Sequence, residues 1–394
     1  MYNFEPAEEQ KALATAAREF CQKEVKPHNA KFEEEWESHT TMWEVLRKAA
    51  EVGYLGLDID PEYGGGGVDA MGIMAVLEEI AAVNGGLACV IGDTYFAHTP
   101  IVIAANEEQR ERFLRPMAFT TEPNLGAILM TEPPSGADIE NERMGLRTVK
   151  VTLKEIGNDL VLNGTKAWAS NTGIAYLYVV VCSTDPAKGP ESSAIVVVEG
   201  DTPGMSFGKV EHKMGMAEDQ NREVYFEDCK IPRKNLLGKI GDGYKILQTT
   251  LRYNRLGAGM ISVGIARGAF EYALDYAKTR VVGGKCLIEH SLIQAMFADM
   301  ATKIDAARLL VYRSAWANRT RNPMRETYSD MAKVFGTNVG MEVTTKCVQL
   351  CGANGYSKDL PLEKYMRDAK IVQIYLGPNE LLNTLIGWRL GGSP

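Results

Sequence analysis

The sequence is poor in metal-binding residues. It has five histidines, none near another, and seven cysteines (21, 89, 182, 229, 286, 347 and 351) scattered through 394 residues. There is no CxxC pair and no Cys/His spacing of the zinc kind, so no metal site is expected. The cysteines read as small buried hydrophobes kept reduced, with Cys347 and Cys351 packing at helical spacing rather than reacting. Positive charge is also short: 43 Lys and Arg stand against 51 Asp and Glu, a net charge of −8. With no basic stripe, nucleic acid is not expected as a partner. No run of 18 apolar residues occurs, so no membrane insertion is expected. The start, Met1 to Glu9, is acidic and lacks a basic n-region and an apolar h-region, so the chain reads as cytoplasmic.

A composition 45% apolar and 24% charged excludes intrinsic disorder, and the length suggests two or three packed units. Glu9 to Lys26 carries Leu13, Ala17 and Phe20 on one stripe, closed by Pro27, and further helical stripes run over Trp43–Val52 and Met71–Val83. The four glycines at 64–67 form a loop. They are not a phosphate cradle, because no strong strand precedes them and the spacing is wrong. From about Leu125 the character changes. Thr148–Leu153, Leu160–Leu162, Tyr176–Cys182, Ala194–Glu199 and Glu223–Phe226 are β-rich and separated by turn residues. They suggest an antiparallel β-barrel or sandwich of roughly 110 residues. After Gly241 the helical period returns, with Ile261, Ile265, Ala269, Tyr272 and Tyr276 on one face and Phe297, Met300, Ile304, Ala307 and Val311 on another. The expected class is α+β: a helical domain over 1–123, a β-domain over 124–238 and a helix bundle over 239–394.

No nucleophilic triad has spacing support. The informative stretches lie at the joints. Met130 to Asp138 is a polar loop stiffened by Pro and Gly, of the kind that presents backbone N–H groups to a ligand, although an ordinary interdomain loop reads the same way. Asn163 to Asn171 sets Trp168 among small and hydroxylated residues after a strand. That Trp is either core or a flat surface for an aromatic cofactor, with Ser170 as a donor beside it.

The order of these segments resembles the acyl-CoA dehydrogenase family from end to end. The matching motifs are Val52-Gly53-Tyr54-Leu55-Gly56, Pro61-Glu62-Tyr63-Gly64-Gly65, Thr131-Glu132-Pro133 with Gly136 and Asp138, and Asn163-Gly164-Thr165-Lys166-Ala167-Trp168. Leu236-Leu237-Gly238, Asn254-Arg255-Leu256, Gln349 to Tyr356 and Arg367-Asp368-Ala369 follow. The resemblance implies a C-terminal four-helix bundle, bound FAD, an acyl-CoA substrate, a homotetramer and an electron-transfer flavoprotein as electron acceptor. It places Met130, Thr131, Trp168 and Ser170 around the flavin ring. Arg280, Gln349 and Gly352 match positions that hold the FAD pyrophosphate across a subunit boundary. Arg255, Ala137, Tyr375 and Leu376 fall on the substrate side.

Departures from the family pattern carry the specific expectation. Ala137 replaces a serine, Gly283 an aromatic and Pro378 a threonine. Dehydrogenation beside a thioester needs a carboxylate to take the α-proton. The family supplies a glutamate at one of two positions, which here are Leu376 and Asn254, and neither side chain can accept a proton. Glu380, about one turn on, is a possible substitute. The segment Cys89 to Pro100 matches the helix that floors the acyl pocket, and its titratable groups near neutrality are Asp93 and His98. Asp93 is either an exposed or capping residue, or a base aimed at the far side of the acyl group, its proton affinity raised by burial. Loss of the glutamate with gain of this aspartate resembles the cyclohex-1-ene-1-carboxyl-CoA dehydrogenases of anaerobic aromatic degradation. That resemblance implies 1,4-elimination, with Asp93 removing the C3 proton while hydride leaves C6 for the flavin. α,β-Dehydrogenation with another base, redox-neutral elimination, flavin hydroxylation and a catalytically dead binding subunit are the competing readings.

Overall fold

The computed structural model describes residues 6–392. The N-terminal third folds as α1 (Glu8–Phe20), α2 (Asn29–Glu34), α3 (Thr40–Glu51), α4 (Ala70–Val83), α5 (Gly85–Ala104) and α6 (Glu107–Phe113). Asp69 caps α4 by accepting the Gly72 N–H at 2.9 Å, and Asn84 caps α5 by accepting that of Leu87 at 2.7 Å. The first helix passes into a π-turn over Cys21–Val25, and Pro27 falls in the 3-10 turn Lys26–His28 that leads into α2.

Helix α5 is apolar on nearly every side, so it has to be enclosed. By length and composition it could cross a membrane, but 67% of its apolar window is buried inside the protein, where it packs on α4, on β1 (Gly126–Leu129) and on a long helix from the C-terminal third.

After α7 (Ala137–Glu140) come β2 (Thr152–Ile156), β3 (Asp159–Ala169), β4 (Leu177–Ser183), β5 (Ser193–Glu199), β6 (Met205–Phe207) and β7 (Arg222–Pro232). The strand order is β1-β4-β2-β3-β7-β6, with β5 on β4. The sheet is not wholly antiparallel, because Gly126 to Leu129 pair in parallel with Leu177 to Val180. The 47 intervening residues, 130–176, are long enough for the crossover that a parallel pair requires. Strand β2 begins at Thr152, later than the alternation from Thr148 suggests. Register shifts between Leu162 and Gly164 and between Lys166 and Ala169 bulge β3. Bulges re-aim side chains, and Trp168 sits in the second one with φ +65°.

One residue before that bulge region, Lys166 is fully buried. Its ammonium donates to the Met130 carbonyl and to Glu132 Oε1, both at 2.8 Å. Glu132 also accepts the N–H groups of Lys150 (2.6 Å) and Val151 (3.0 Å). This pair fastens the 130–138 loop to the sheet.

The C-terminal third comprises α8 (Gly243–Thr279), a hairpin of β8 (Val281–Val282) and β9 (Lys285–Cys286), then α9 (Ser291–Arg319), α10 (Arg325–Tyr356), α11 (Leu362–Val372) and α12 (Asn379–Leu390). Helices α8 to α11 pack as the bundle, with α12 against α10. Gly283 and Gly284, both at positive φ, make the hairpin turn, so Gly283 serves backbone geometry. Breaking a buried pair strands its partner. Lys166→Met should therefore cost about 3–5 kcal/mol in denaturant unfolding. Adding Glu132→Gln should restore part of that loss.

Candidate active site

A cavity of about 970 Å³ opens where α4, α5, the end of β1, the 130–140 loop, the end of β3, the 212–221 loop, α8 and residues 367–378 converge. Its walls are mostly apolar, with a few convergent polar groups, the usual character of a ligand site. Asp93, Met130, Thr131, Ala137, Trp168, Ser170, Tyr375 and Leu376 all line it.

Local hydrogen bonds explain why these residues meet. The Ala167 N–H donates to the Thr131 carbonyl at 2.9 Å, tying the loop to β3. Asn171, fully buried, donates to the Val90 carbonyl on α5 (3.0 Å) and to the Gly126 carbonyl on β1 (2.9 Å). That fixes Ser170 beside α5. Asn221 donates to the Trp168 carbonyl at 2.9 Å. The indole is 60% exposed and lies on the cavity wall, so Trp168 is not core. A flat aromatic face beside hydroxyls and main-chain N–H groups suits a planar heteroaromatic ring.

Asp93 lines the cavity from the middle of α5. Its Oδ2 is buried with no hydrogen-bond partner. Burial pushes its carboxyl well above the ordinary carboxylate range, the charge of Asp219 adds to this, and the Ile128 backbone opposes it. It is neither an exposed nor a capping residue. Asn254 donates to Thr99 Oγ1 at 3.1 Å and to the Thr250 carbonyl at 2.9 Å, so its amide is occupied. The Tyr375 hydroxyl is buried without a partner and pushed up by burial, with Cys89, Asp219 and Asp93 facing it.

Several expected site residues lie elsewhere. Arg255 is buried and absent from the cavity wall. Its Nε donates to the Leu376 carbonyl (3.1 Å) and its Nη1 to Asp330 Oδ1 (2.7 Å), so it holds the loop from behind the cavity wall. The loop is held further at the next residue, where Lys333 donates to the Gly377 carbonyl at 2.7 Å, and Leu376 itself sits at φ +54°. His98 is fully buried and bonded through Nδ1 to Asp58 Oδ1 at 2.8 Å, off the cavity wall. Glu380 is exposed on α12 and does not reach the cavity, so it cannot replace the missing base. Arg280, Gln349 and Gly352 are exposed and also outside the cavity. They gather at one end of the bundle, where Asn354 donates to the Tyr276 hydroxyl at 2.9 Å and Gly352 breaks α10 with φ +61°.

Three participants were not visible in the sequence. Glu140 lines the cavity beside Gly377, 4.0 Å from Arg255, and burial pushes its carboxyl up to about 7. Burial lowers the Lys333 ammonium to about 7. Asp219 lies in a run of four buried polar residues, Glu218 to Asn221, that looks like a solvated loop in the sequence.

Three family models cover most of the chain: the acyl-CoA dehydrogenase N-terminal domain at residues 7–120, the middle domain at 127–229 and the C-terminal domain at 241–391. The chain is 34% identical over 393 residues to a short-chain-specific acyl-CoA dehydrogenase of Clostridium acetobutylicum, covering 98% of this chain and 99% of that one. It is 36% identical over 384 residues to an acryloyl-CoA reductase (NADH) of Anaerotignum propionicum, covering 98% and 95%. Butyryl-CoA dehydrogenase from Megasphaera elsdenii superposes with a TM-score of 0.92 at 33% identity, over 99% of this chain and 100% of that one. A chain solved in work on the electron transferring flavoprotein of Acidaminococcus fermentans gives 0.92 at 36% identity, over 99% of each. The chain belongs to the acyl-CoA dehydrogenase family. It is accordingly an FAD-dependent oxidoreductase acting on CoA thioesters.

The Glu140 carboxyl gives a stability prediction. Between its ordinary 4.5 and about 7, the folded chain holds a proton there that the unfolded chain has released, so stability falls as pH rises. Glu140→Gln should remove that fall, worth at most about 3 kcal/mol, in unfolding free energies measured across this window. From about 7 to 10.5 Lys333 acts in the opposite sense, because the unfolded chain binds the extra proton and stability rises with pH.

Proposed function

We propose that this enzyme dehydrogenates a cyclic, cyclohex-1-ene-1-carboxyl-type CoA thioester by 1,4-elimination, with Asp93 as the base. The observation that carries this reading is the Asp93 carboxyl on the cavity wall with an unpartnered buried oxygen, while Leu376 and Asn254 occupy the positions that would serve ordinary α,β-dehydrogenation. In a ring unsaturated at C1–C2, the C3 proton is vinylogously acidic, because its electron pair delocalises onto the thioester oxygen. Asp93 takes that proton, C6 loses a hydride, and a cyclohexa-1,5-diene thioester results. The absence of a carboxylate facing C1 withholds the competing 1,2-reaction, so Leu376 contributes selectivity.

Bound FAD supplies the two-electron acceptor. Met130, Thr131 and Ser170 would hold the polar edge of its ring and Trp168 would cover one face. Ala137, Tyr375 and Leu376 face the thioester, and Arg255 keeps the Leu376 main chain in place. Arg280, Gln349 and Gly352, remote from the cavity of their own chain, would hold the pyrophosphate of a neighbouring subunit's FAD in a homotetramer. The exposed Leu292 and Tyr356 of the bundle support such self-association. An electron-transferring flavoprotein is the proposed electron acceptor, supported by the likeness to the chain from Acidaminococcus fermentans.

A second reading uses Glu140 as the base for α,β-dehydrogenation; its place on the cavity wall beside Gly377 favours it. The two separate cleanly. Asp93→Asn should retain FAD and thioester binding and lower turnover of cyclohexenecarboxyl-CoA by about 10²–10⁴-fold, read as anaerobic bleaching of the oxidised flavin. Glu140→Gln should leave that rate within a few-fold. A near-normal rate in Asp93→Asn, or faster bleaching by straight-chain saturated thioesters, would overturn the cyclic reading. Leu376→Glu should introduce measurable α,β-dehydrogenation of saturated acyl-CoA thioesters, identified from the product.

A further inference from the structure

Helices α5 and α8 contain several glycines, and crowding explains most of them. On α8, a Cβ at Gly264 would lie 2.6 Å from the Ala81 Cβ, and one at Gly268 would lie 2.1 Å from the Ala82 carbonyl oxygen. On α5, a Cβ at Gly86 would lie 2.2 Å from Glu218 Oε2. These glycines let neighbouring elements approach. Two others have no such reason. A Cβ at Gly92 would first meet the Ile261 Cδ1 methyl at 3.4 Å, and one at Gly257 the Leu77 Cδ1 methyl at 3.7 Å, both ordinary van der Waals distances. Neither glycine has a positive φ, so the backbone does not call for glycine either.

Glycine inside a helix costs stability relative to alanine, because it loses more conformational freedom on folding. Gly92 lies well inside α5 and Gly257 well inside α8, away from either cap. What the two positions provide is space. Both line the cavity, and so do Ile261 and Leu77, the side chains that an added Cβ would meet. A side chain at either position would therefore take room from the cavity. Gly92 is the residue before Asp93, whose unpartnered Oδ2 marks this stretch of wall, and Gly257 stands one turn from Asn254 on the same face of α8. The two glycines widen the cavity from two helices.

That width discriminates between ligands by shape. A straight acyl chain is narrow and gains contacts from a close-fitting wall, which alanine or valine at these positions would supply. A six-membered ring is rigid and broader in its own plane, so the same side chains would collide with it. We propose that Gly92 and Gly257 are specificity-determining residues that keep the cavity wide enough for the ring of a cyclic acyl group. This rests on the reading of the substrate as a cyclic CoA thioester.

The test uses flavin-loaded enzyme. Dissociation constants of cyclohexanecarboxyl-CoA and butyryl-CoA are measured anaerobically from the change each causes in flavin absorbance, and melting temperatures are recorded beside them. Gly92→Ala and Gly257→Val should each raise the constant for the cyclic thioester by roughly tenfold or more, and leave that for butyryl-CoA within about threefold. Gly257→Ala should weaken cyclic binding while raising the melting temperature, because the helix gains alanine without a clash. Binding and stability then move in opposite directions, which a purely packing role does not produce. If Gly257→Val loses its flavin, Gly257→Ala carries the comparison. Equal weakening of both thioesters, unchanged cyclic binding, or a melting temperature lowered by Gly257→Ala would overturn the assignment of the glycines alone. Tighter binding of butyryl-CoA than of the cyclic thioester by the unsubstituted enzyme would instead overturn the cyclic reading on which it rests.

Discussion

The enclosure of α5 is the constraint from which the cavity follows. A helix apolar around nearly its whole circumference cannot face water, so α4, α8 and β1 close over it. The one strip left open is the cavity, and Asp93 lies on it. In a solvated helix such a carboxylate would be an ordinary acid. Set in a mostly apolar wall with the Asp219 carboxylate nearby, it resists ionisation, a property that suits a group that is to bind a proton taken from carbon.

Around this strip, most buried polar side chains hold main chain in place. Lys166 and Glu132 fasten the 130–138 loop, Asn171 ties β3 to α5 and β1, and Asn221 takes the Trp168 carbonyl. Arg255 and Lys333 hold the carbonyls of Leu376 and Gly377. Because donors and acceptors are consumed in this way, the few left unpaired stand out. Asp93, Asp219 and Tyr375 each bring an unsatisfied atom to the same neighbourhood. Buried polar atoms without partners are uncommon in native interiors, and these three meet at the cavity, where a reaction needs groups free to engage a ligand.

Periodicity and turn residues made the helices and most strands legible, because those signals are local. The sequence left Trp168 open between core and a ligand surface, and its place on the cavity wall decides against core, while Asp93 was conspicuous as an acid in an apolar helix. What escaped were partners remote in sequence. Arg255 reads like a substrate-side residue until Leu376, 121 positions away, is seen to take its Nε–H. Glu218 to Asn221 look like a solvated turn until Asn84 and Lys364 close around them. The parallel β1/β4 pair was hidden for the same reason: alternation within a strand carries no record of its neighbour's direction.

The two basic side chains that hold residues 376 and 377, Arg255 and Lys333, grip carbonyl oxygens, which every amino acid possesses. The shape of that loop is therefore insulated from the identity of the side chain it displays. A lineage can exchange an acid for an aliphatic group at this point, and back again, without rebuilding its surroundings. The scaffold keeps a reactive position open to inheritance as an interchangeable part.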